Sequence, residues 1–239
     1  MEAFLFIITI TLACFLQGVV GFGFALVATP LALIYLEKET VVSSMLVISV
    51  VLNGFLTKKI KKPVNFKQVI PLFLASLVGM PVGIWILKAI PINLMKVLVG
   101  SLAIISTVIL YFGKFRLPPK NFLTAIAGFA SGFLQTSTSM SGPPVVLLLA
   151  GQKLPKKEFR KTLVSFFFLM GIVSISLFFV SQIITLERVS FGLISIPFVF
   201  LAGFLGDKVA TRVPQKVFRF LALGVVSLSG LYSIFSGLM

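Results

Sequence analysis

Ala130-Ser-Gly-Phe-Leu-Gln-Thr-Ser-Thr-Ser-Met-Ser-Gly-Pro-Pro144 is a polar, backbone-permissive run set inside some of the most apolar sequence of this chain. Residues 121–134 read as the first arm of a helix. Val145 to Ala150 resume the apolar pattern after Pro143 and Pro144, which start a helix well but cannot continue one. The helix must therefore break between Gln135 and Gly142. An unpaired peptide group in hydrocarbon costs several kcal/mol, so a broken backbone is tolerated there only where it packs in protein or lines a water-filled cavity. The break is read as half of a ligand site.

The composition places this break in a membrane. Of 239 residues 58% are hydrophobic and 11% charged, with a mean hydropathy of +1.14, far outside the range of soluble domains. Apolar windows fall at 3–36, 41–57, 68–87, 92–112, 121–151, 162–184, 189–206 and 217–237. Each reaches the length of about 17 residues that spans a bilayer. An all-α polytopic membrane protein with about eight or more membrane helices is expected. Glu2 and the lack of a basic stretch before the first window argue against a cleaved signal peptide. The net charge of +15 would point to nucleic acid in a soluble protein. Here the basic residues sit in short loops, where topology and anionic headgroups account for them, and no nucleic-acid partner is expected. Cys14 is the sole cysteine and histidine is absent, which removes disulfides, thiolate metal sites and imidazole chemistry. With only six acidic residues besides, no metal site, cofactor or enzymatic acid–base centre is expected.

Topology follows from the lysines. Loops 58–67, 113–120 and 151–161 and the segment 207–219 carry most of the 21 basic residues and are read as cytoplasmic, with Glu2, Glu37, Glu39 and Glu187 opposite. Residues 121–151 then leave and return to one side, as a hairpin; residues 3–36 make a second hairpin from the other face. Three spans follow each hairpin, so the two halves are expected to insert in opposite senses, with both termini extracytoplasmic. The first repeat is 1–112 (hairpin 3–36, spans 41–57, 68–87 and 92–112) and the second 121–239 (hairpin 121–151, spans 162–184, 189–206 and 217–237). Residues 113–120 form a cytoplasmic linker. Phe15, Gly18 and Pro30 stand in one register with Phe129, Gly132 and Pro144, and Gly83, Pro91 and Lys96 in another with Gly206, Pro214 and Arg219. Phe-Leu-Gln recurs at 15–17 and 133–135 in a third, leaving the alignment at the break open by about one helical turn. Paired Gly/Pro-interrupted apolar segments in two opposed halves point to a transporter's binding site.

The first break spans Gln17 to Pro30, where Gly18, Gly21 and Gly23 permit positive φ and close backbone approach. The second offers Gln135, Thr136, Ser137, Thr138, Ser139 and Ser141, with Ser141 or Gly142 placed to cap the arm begun by Pro143. Each following arm would present a helix N-terminus, with free amides and partial positive charge, which favours an anion without a buried lysine. Neither break contains an acidic residue, as a cation site at that depth would. Helix packing is the competing reading for Gly18, Gly128 and Gly132, and a core or lipid-facing place for Phe22 and Phe24, with Phe22 the better gating candidate. Lys96 and Arg219 are read as reaching to the interface, and Asp207 beside Lys208 as a solvated interface pair.

With Gly-Phe-Gly-Phe-Ala-Leu-Val-Ala-Thr-Pro at 21–30 and Ser-Gly-Phe-Leu-Gln-Thr-Ser-Thr-Ser-Met-Ser-Gly-Pro-Pro at 131–144, the chain resembles the TauE/SafE sulfite-exporter family over essentially its whole length. The resemblance implies a multi-pass protein of a prokaryotic plasma (inner) membrane, in two related halves, moving sulfite, sulfonates or related anions. The residues by themselves indicate only a small anion. The expected activity is secondary transport by alternating access, with an anion channel of the same architecture as the alternative. Expected partners are the small anionic substrate and the lipid bilayer; a homo-oligomer stays open. Substrate contacts are assigned to Gln17, Gly21, Phe22, Gly23, Thr29, Gln135, Thr136, Ser137, Thr138, Ser139, Ser141 and Gly142. The helix breaks are assigned to Gly18, Pro30, Gly132, Pro143 and Pro144.

Overall fold

The computed structural model describes residues 2–61, 63–112, 121–152, 154–210 and 215–239, with the side chains of 110–112, 156, 215–223 and 225 left out of the description. The linker 113–120, Lys62, Lys153, Arg212 and Pro214 and the side chains of Lys216 and Arg219 lie outside the described residues. Eleven helices make up the described chain, with no strand among them. They are α1 (Glu2–Val20), α2 (Phe24–Ala32), α3 (Lys38–Lys59), α4 (Phe66–Ala89), α5 (Ile92–Phe112), α6 (Asn121–Thr138), α7 (Gly142–Gly151), α8 (Lys156–Val180), α9 (Leu186–Ile194), α10 (Ile196–Val209) and α11 (Gln215–Leu238).

Among the described residues five helices are long and apolar enough to cross a membrane, or six if α9 and α10 form one span, with α11 entering that comparison only over Val226–Leu238. The shortfall from eight windows has local causes. Window 189–206 is not one rod: it bends by 41° between α9 and α10, at Ser195. Window 162–184 holds one of the five, α8, which stops at Val180 before Gln182 turns with φ 57. Both hairpins are uneven. Their second arms, α2 and α7, have only nine and ten residues, about 14–15 Å of helix against a hydrocarbon core of about 30 Å. They reach half-way, so their inner ends lie at depth. In α6 the polar run Gln135 to Thr138 keeps an otherwise adequate length out of the spanning class.

The helices pair in a pattern that returns to itself when α1 is exchanged with α6, α2 with α7, α3 with α8, α4 with α9–α10 and α5 with α11. α1 packs on α10 as α6 packs on α4; α4 on α8 as α10 on α3; and α3 on α8 and α5 on α11 pair with each other. α2 departs from this pattern, packing on α5 and α11 where α7 has no comparable neighbour. Two crossings bring backbones into contact. A side chain at Gly83 would strike the Phe133 carbonyl and the Thr136 hydroxyl of α6, and one at Gly206 would strike the Phe15 carbonyl and Gly18 of α1. These contacts correspond residue for residue in the register set by the two Phe-Leu-Gln triplets. Small residues allow this approach, and close packing is what holds helices together in lipid. Gly18, Gly128 and Gly132 all sit inside helices at such crossings, Gly132 against the Ser76 carbonyl, so they pack rather than bend the chain.

Gly132→Val drives a branched side chain into the α4 backbone, which has no rotamer with which to yield. We expect a loss of about 1–3 kcal/mol, read as a clear fall in thermal unfolding temperature in detergent. Gly224→Ala in α11 meets no described atom within 4 Å and should leave that temperature unchanged or slightly raised.

Candidate functional site

The first break occupies three residues. α1 ends at Val20, Gly21 and Gly23 take φ 94 and 103, and α2 begins at Phe24. An L-residue in that region is disfavoured by about 1–2 kcal/mol, so the backbone itself selects glycine. Pro30 lies within α2, in its last turn, and does not mark the break. The second break reproduces the turn with different chemistry. α6 ends at Thr138, Ser139 takes φ 62, and α7 begins at Gly142 with prolines in its first turn. The amide of Gly21 donates to the Gln17 carbonyl at 2.6 Å, and that of Ser139 donates to the Gln135 carbonyl at 3.1 Å. A serine held in the left-handed region is a strained element, of the kind that concentrates at functional sites.

The two breaks meet. A small cleft, about 20 Å³ in volume, is lined by Gln17, Gly23, Phe24, Ala25 and Leu26 from the first break and by Gln135, Ser139, Met140, Ser141 and Gly142 from the second. Ser49 and Asn53 of α3 and Phe167 of α8 complete it. It has room for little more than a water molecule. Its lining carries no charged side chain. By helix geometry the amides of Ala25 and Leu26 have no carbonyl within α2 to bond, and they open the positive end of that helix onto the cleft. α7 offers fewer amides, because Pro143 and Pro144 have none.

Side chains complete the polar wall unevenly. Gln17 is clamped: its Oε1 accepts from the Phe24 amide at 3.2 Å, and its Nε2 donates to Asn53 Oδ1 at 2.8 Å. Asn53 in turn donates to the carbonyl and hydroxyl of Ser49, at 2.8 and 3.1 Å. All three are buried. Gln135 stands in the equivalent place and is only 2% exposed, yet its side-chain amide has no hydrogen-bond partner among the described residues. The reason lies on α8, where the positions in register with Ser49 and Asn53 are Phe167 and Gly171, which offer no polar group.

Several expected contacts lie elsewhere. Thr136 donates to the Met80 carbonyl at 2.7 Å, Ser137 to that of Phe133 at 2.7 Å, and Thr138 to that of Leu134 at 2.9 Å; none lines the cleft. Gly21 and Thr29 do not line it either, and the buried Thr29 hydroxyl has no partner. Phe22 packs beside the cleft, its ring 3.8 Å from where a Cβ on Gly142 would sit, and touches both apolar clusters of the core. Asn53 and Ser49 escaped the sequence reading; their signal was a polar pair four residues apart inside an apolar span.

Asp207 is part-buried and has a partner besides the neighbouring Lys208. Its Oδ1 lies 3.1 Å from Arg160 Nη2, and the same nitrogen donates to the Gly18 carbonyl at 2.6 Å. Arg160 is 8% exposed and its stem fills the space a side chain on Gly21 would need. The cation thus sits at the negative end of α1, just before the first break, a position the helix dipole favours. Lys96 donates to the Ser236 hydroxyl at 3.3 Å.

Against this geometry, the family model described as "Sulfite exporter TauE/SafE" matches residues 6–233. The chain belongs to the TauE/SafE sulfite exporter family. No curated protein and no solved structure matches it. Membership makes this a membrane transporter, consistent with its apolar helices, and the cleft is where a TauE/SafE protein of this sequence brings both helix breaks and its buried, unpaired glutamine together.

Arg160→Met removes the brace on the first break. Amide exchange across residues 17–24 should accelerate at least tenfold, while exchange in the α4 and α6 core stays unchanged.

Proposed function

We propose that this protein is a secondary carrier for a small oxyanion of the sulfite or organosulfonate type, working across a prokaryotic plasma membrane by alternating access. The observation that carries the proposal is the cleft: two half-length helices begin in it, its wall includes amide and hydroxyl groups, and Gln135 brings to it an amide with no partner among the described residues. Donors without a cation, arranged at helix N-termini, suit an anion that must be bound and then released. An anion larger than water has to widen the cleft, so binding is coupled to movement of the helices around it.

The exchange pattern of the helix pairs supports two halves of opposite insertion, 1–112 and 121–239, rocking about the cleft. The lysine-rich loops would face the cytoplasm and both termini the outside. Of the candidate contacts, Gln17, Gly23, Gln135, Ser139, Ser141 and Gly142 act on the substrate directly, with Asn53 and Ser49 holding Gln17 in place. Phe22, wedged between the two breaks, serves as the gate. Thr136, Ser137 and Thr138 secure the end of α6, and Gly21 shapes the first turn. No histidine is present and no carboxylate lines the cleft, so a proton coupled to transport would travel on the substrate.

Counterflow of labelled sulfite in proteoliposomes tests this reading. Transport saturable in external sulfite is expected, with Asn53→Leu and Gln135→Met each slowing it by about 5–30-fold, the range for losing one or two buried hydrogen bonds. Ser137→Ala should stay within about twofold, since its hydroxyl only back-bonds to its own helix. Absence of counterflow in the unsubstituted protein contradicts the proposal.

A further inference from the structure

A charge taken from water into an apolar interior costs free energy in proportion to its square, so a doubly charged anion pays on the order of four times the penalty of a singly charged one. The cleft can offset only so much. It has no lysine or arginine in its lining, and part of its wall is the apolar set Phe24, Ala25, Leu26, Met140 and Phe167. Its compensation comes from two helix N-termini, α2 and α7, each equivalent to about half a positive charge. Together they match one negative charge.

Two further observations bear on how many donors remain. Pro143 and Pro144 remove two amides from α7, and the Phe24 amide of α2 is committed to Gln17 Oε1. Gln17 itself is committed to Asn53. Besides the Ser139 and Ser141 hydroxyls, the side chain left to answer a ligand is Gln135, 2% exposed, facing the cleft and without a partner among the described residues. It is a neutral donor at the place where a second negative charge would demand a cation.

We infer that the cleft selects singly charged oxyanions over doubly charged ones, and that the neutral amide of Gln135 sets this preference. The inference rests on the carrier reading above and sharpens it: sulfite would be carried as hydrogensulfite, bringing its own proton, and sulfate would be refused despite its similar size. A lysine at 135 would supply the missing positive charge and shift the preference toward dianions.

Three ligands built on four-coordinate sulfur isolate charge: methanesulfonamide (neutral), methanesulfonate (−1) and sulfate (−2). Their affinities are read from ligand-dependent thermal shifts of the purified full-length protein at neutral pH in low chloride. Methanesulfonate should bind at least tenfold more tightly than either of the others. In Gln135→Lys the ratio of sulfate to methanesulfonate affinity should rise at least tenfold, and Ser141→Lys at the cleft rim gives the same test if the first variant does not fold. Sulfate binding as tightly as methanesulfonate in the unsubstituted protein overturns the inference, as does an unchanged ratio in the lysine variants. Intact sulfite counterflow with no methanesulfonate binding overturns it too, while leaving the carrier reading standing. Loss of both binding and counterflow removes that reading as well.

Discussion

A peptide group deep in a membrane has no water to bond, and this protein interrupts its backbone twice under that constraint. At each interruption the amide closing the last turn, Gly21 or Ser139, returns to the carbonyl of a glutamine, Gln17 or Gln135. Around these bonds some polar groups are satisfied by neighbours and others turn toward a shared cleft, while the buried Thr29 hydroxyl does neither among the described residues. The Gln17–Asn53–Ser49 chain belongs to the first kind. Gln135 belongs to the second.

Helix packing makes the interruptions affordable. The α1–α10 and α4–α6 crossings are close enough that glycine is required at Gly206 and Gly83, so α1 and α6 are each fixed against a helix distant from them in sequence. The short arms α2 and α7 are left to end inside the protein. Arg160 adds an electrostatic brace, joining α8 to the end of α1 and to Asp207 of α10. Rigid crossings thus flank short, differently secured arms, and packed helix interfaces of this kind switch between discrete positions more readily than they deform.

Much of this was legible in the residues. Glycine-rich and hydroxyl-rich interruptions in long apolar windows marked the breaks, and the repeated Phe-Leu-Gln triplet held the register in which Gly21 and Ser139 correspond. Charge-poor breaks pointed to an anion. What escaped was anything decided by side-chain direction. Thr136, Ser137 and Thr138 have the same composition as a binding wall, but Ser137 and Thr138 turn their hydroxyls back to carbonyls of α6 and Thr136 donates to the Met80 carbonyl of α4. Asn53 lies on a helix with no break, so only its partner Gln17 reveals its role. Arg160 resembled one more topology-setting cation in a basic loop, and Pro30 resembled a breaker although its φ fits a helix. Hydropathy alone also could not separate a half-length arm from a span, since both are uniformly apolar.

The central claim is that both breaks face one water-accessible cleft, reached in turn from either side of the membrane. Cys14, the only cysteine, is fully buried, so Cys14→Ala provides a background for single cysteines at Gly23, Ser139 and Ser141. Labelling of these positions by membrane-impermeant thiol reagents, applied separately to each face of oriented vesicles, is the direct measurement. The account predicts reaction from both faces at Ser139→Cys and Ser141→Cys, with methanesulfonate slowing both. Cysteines that stay unreactive from either side, in variants that still fold, would contradict it.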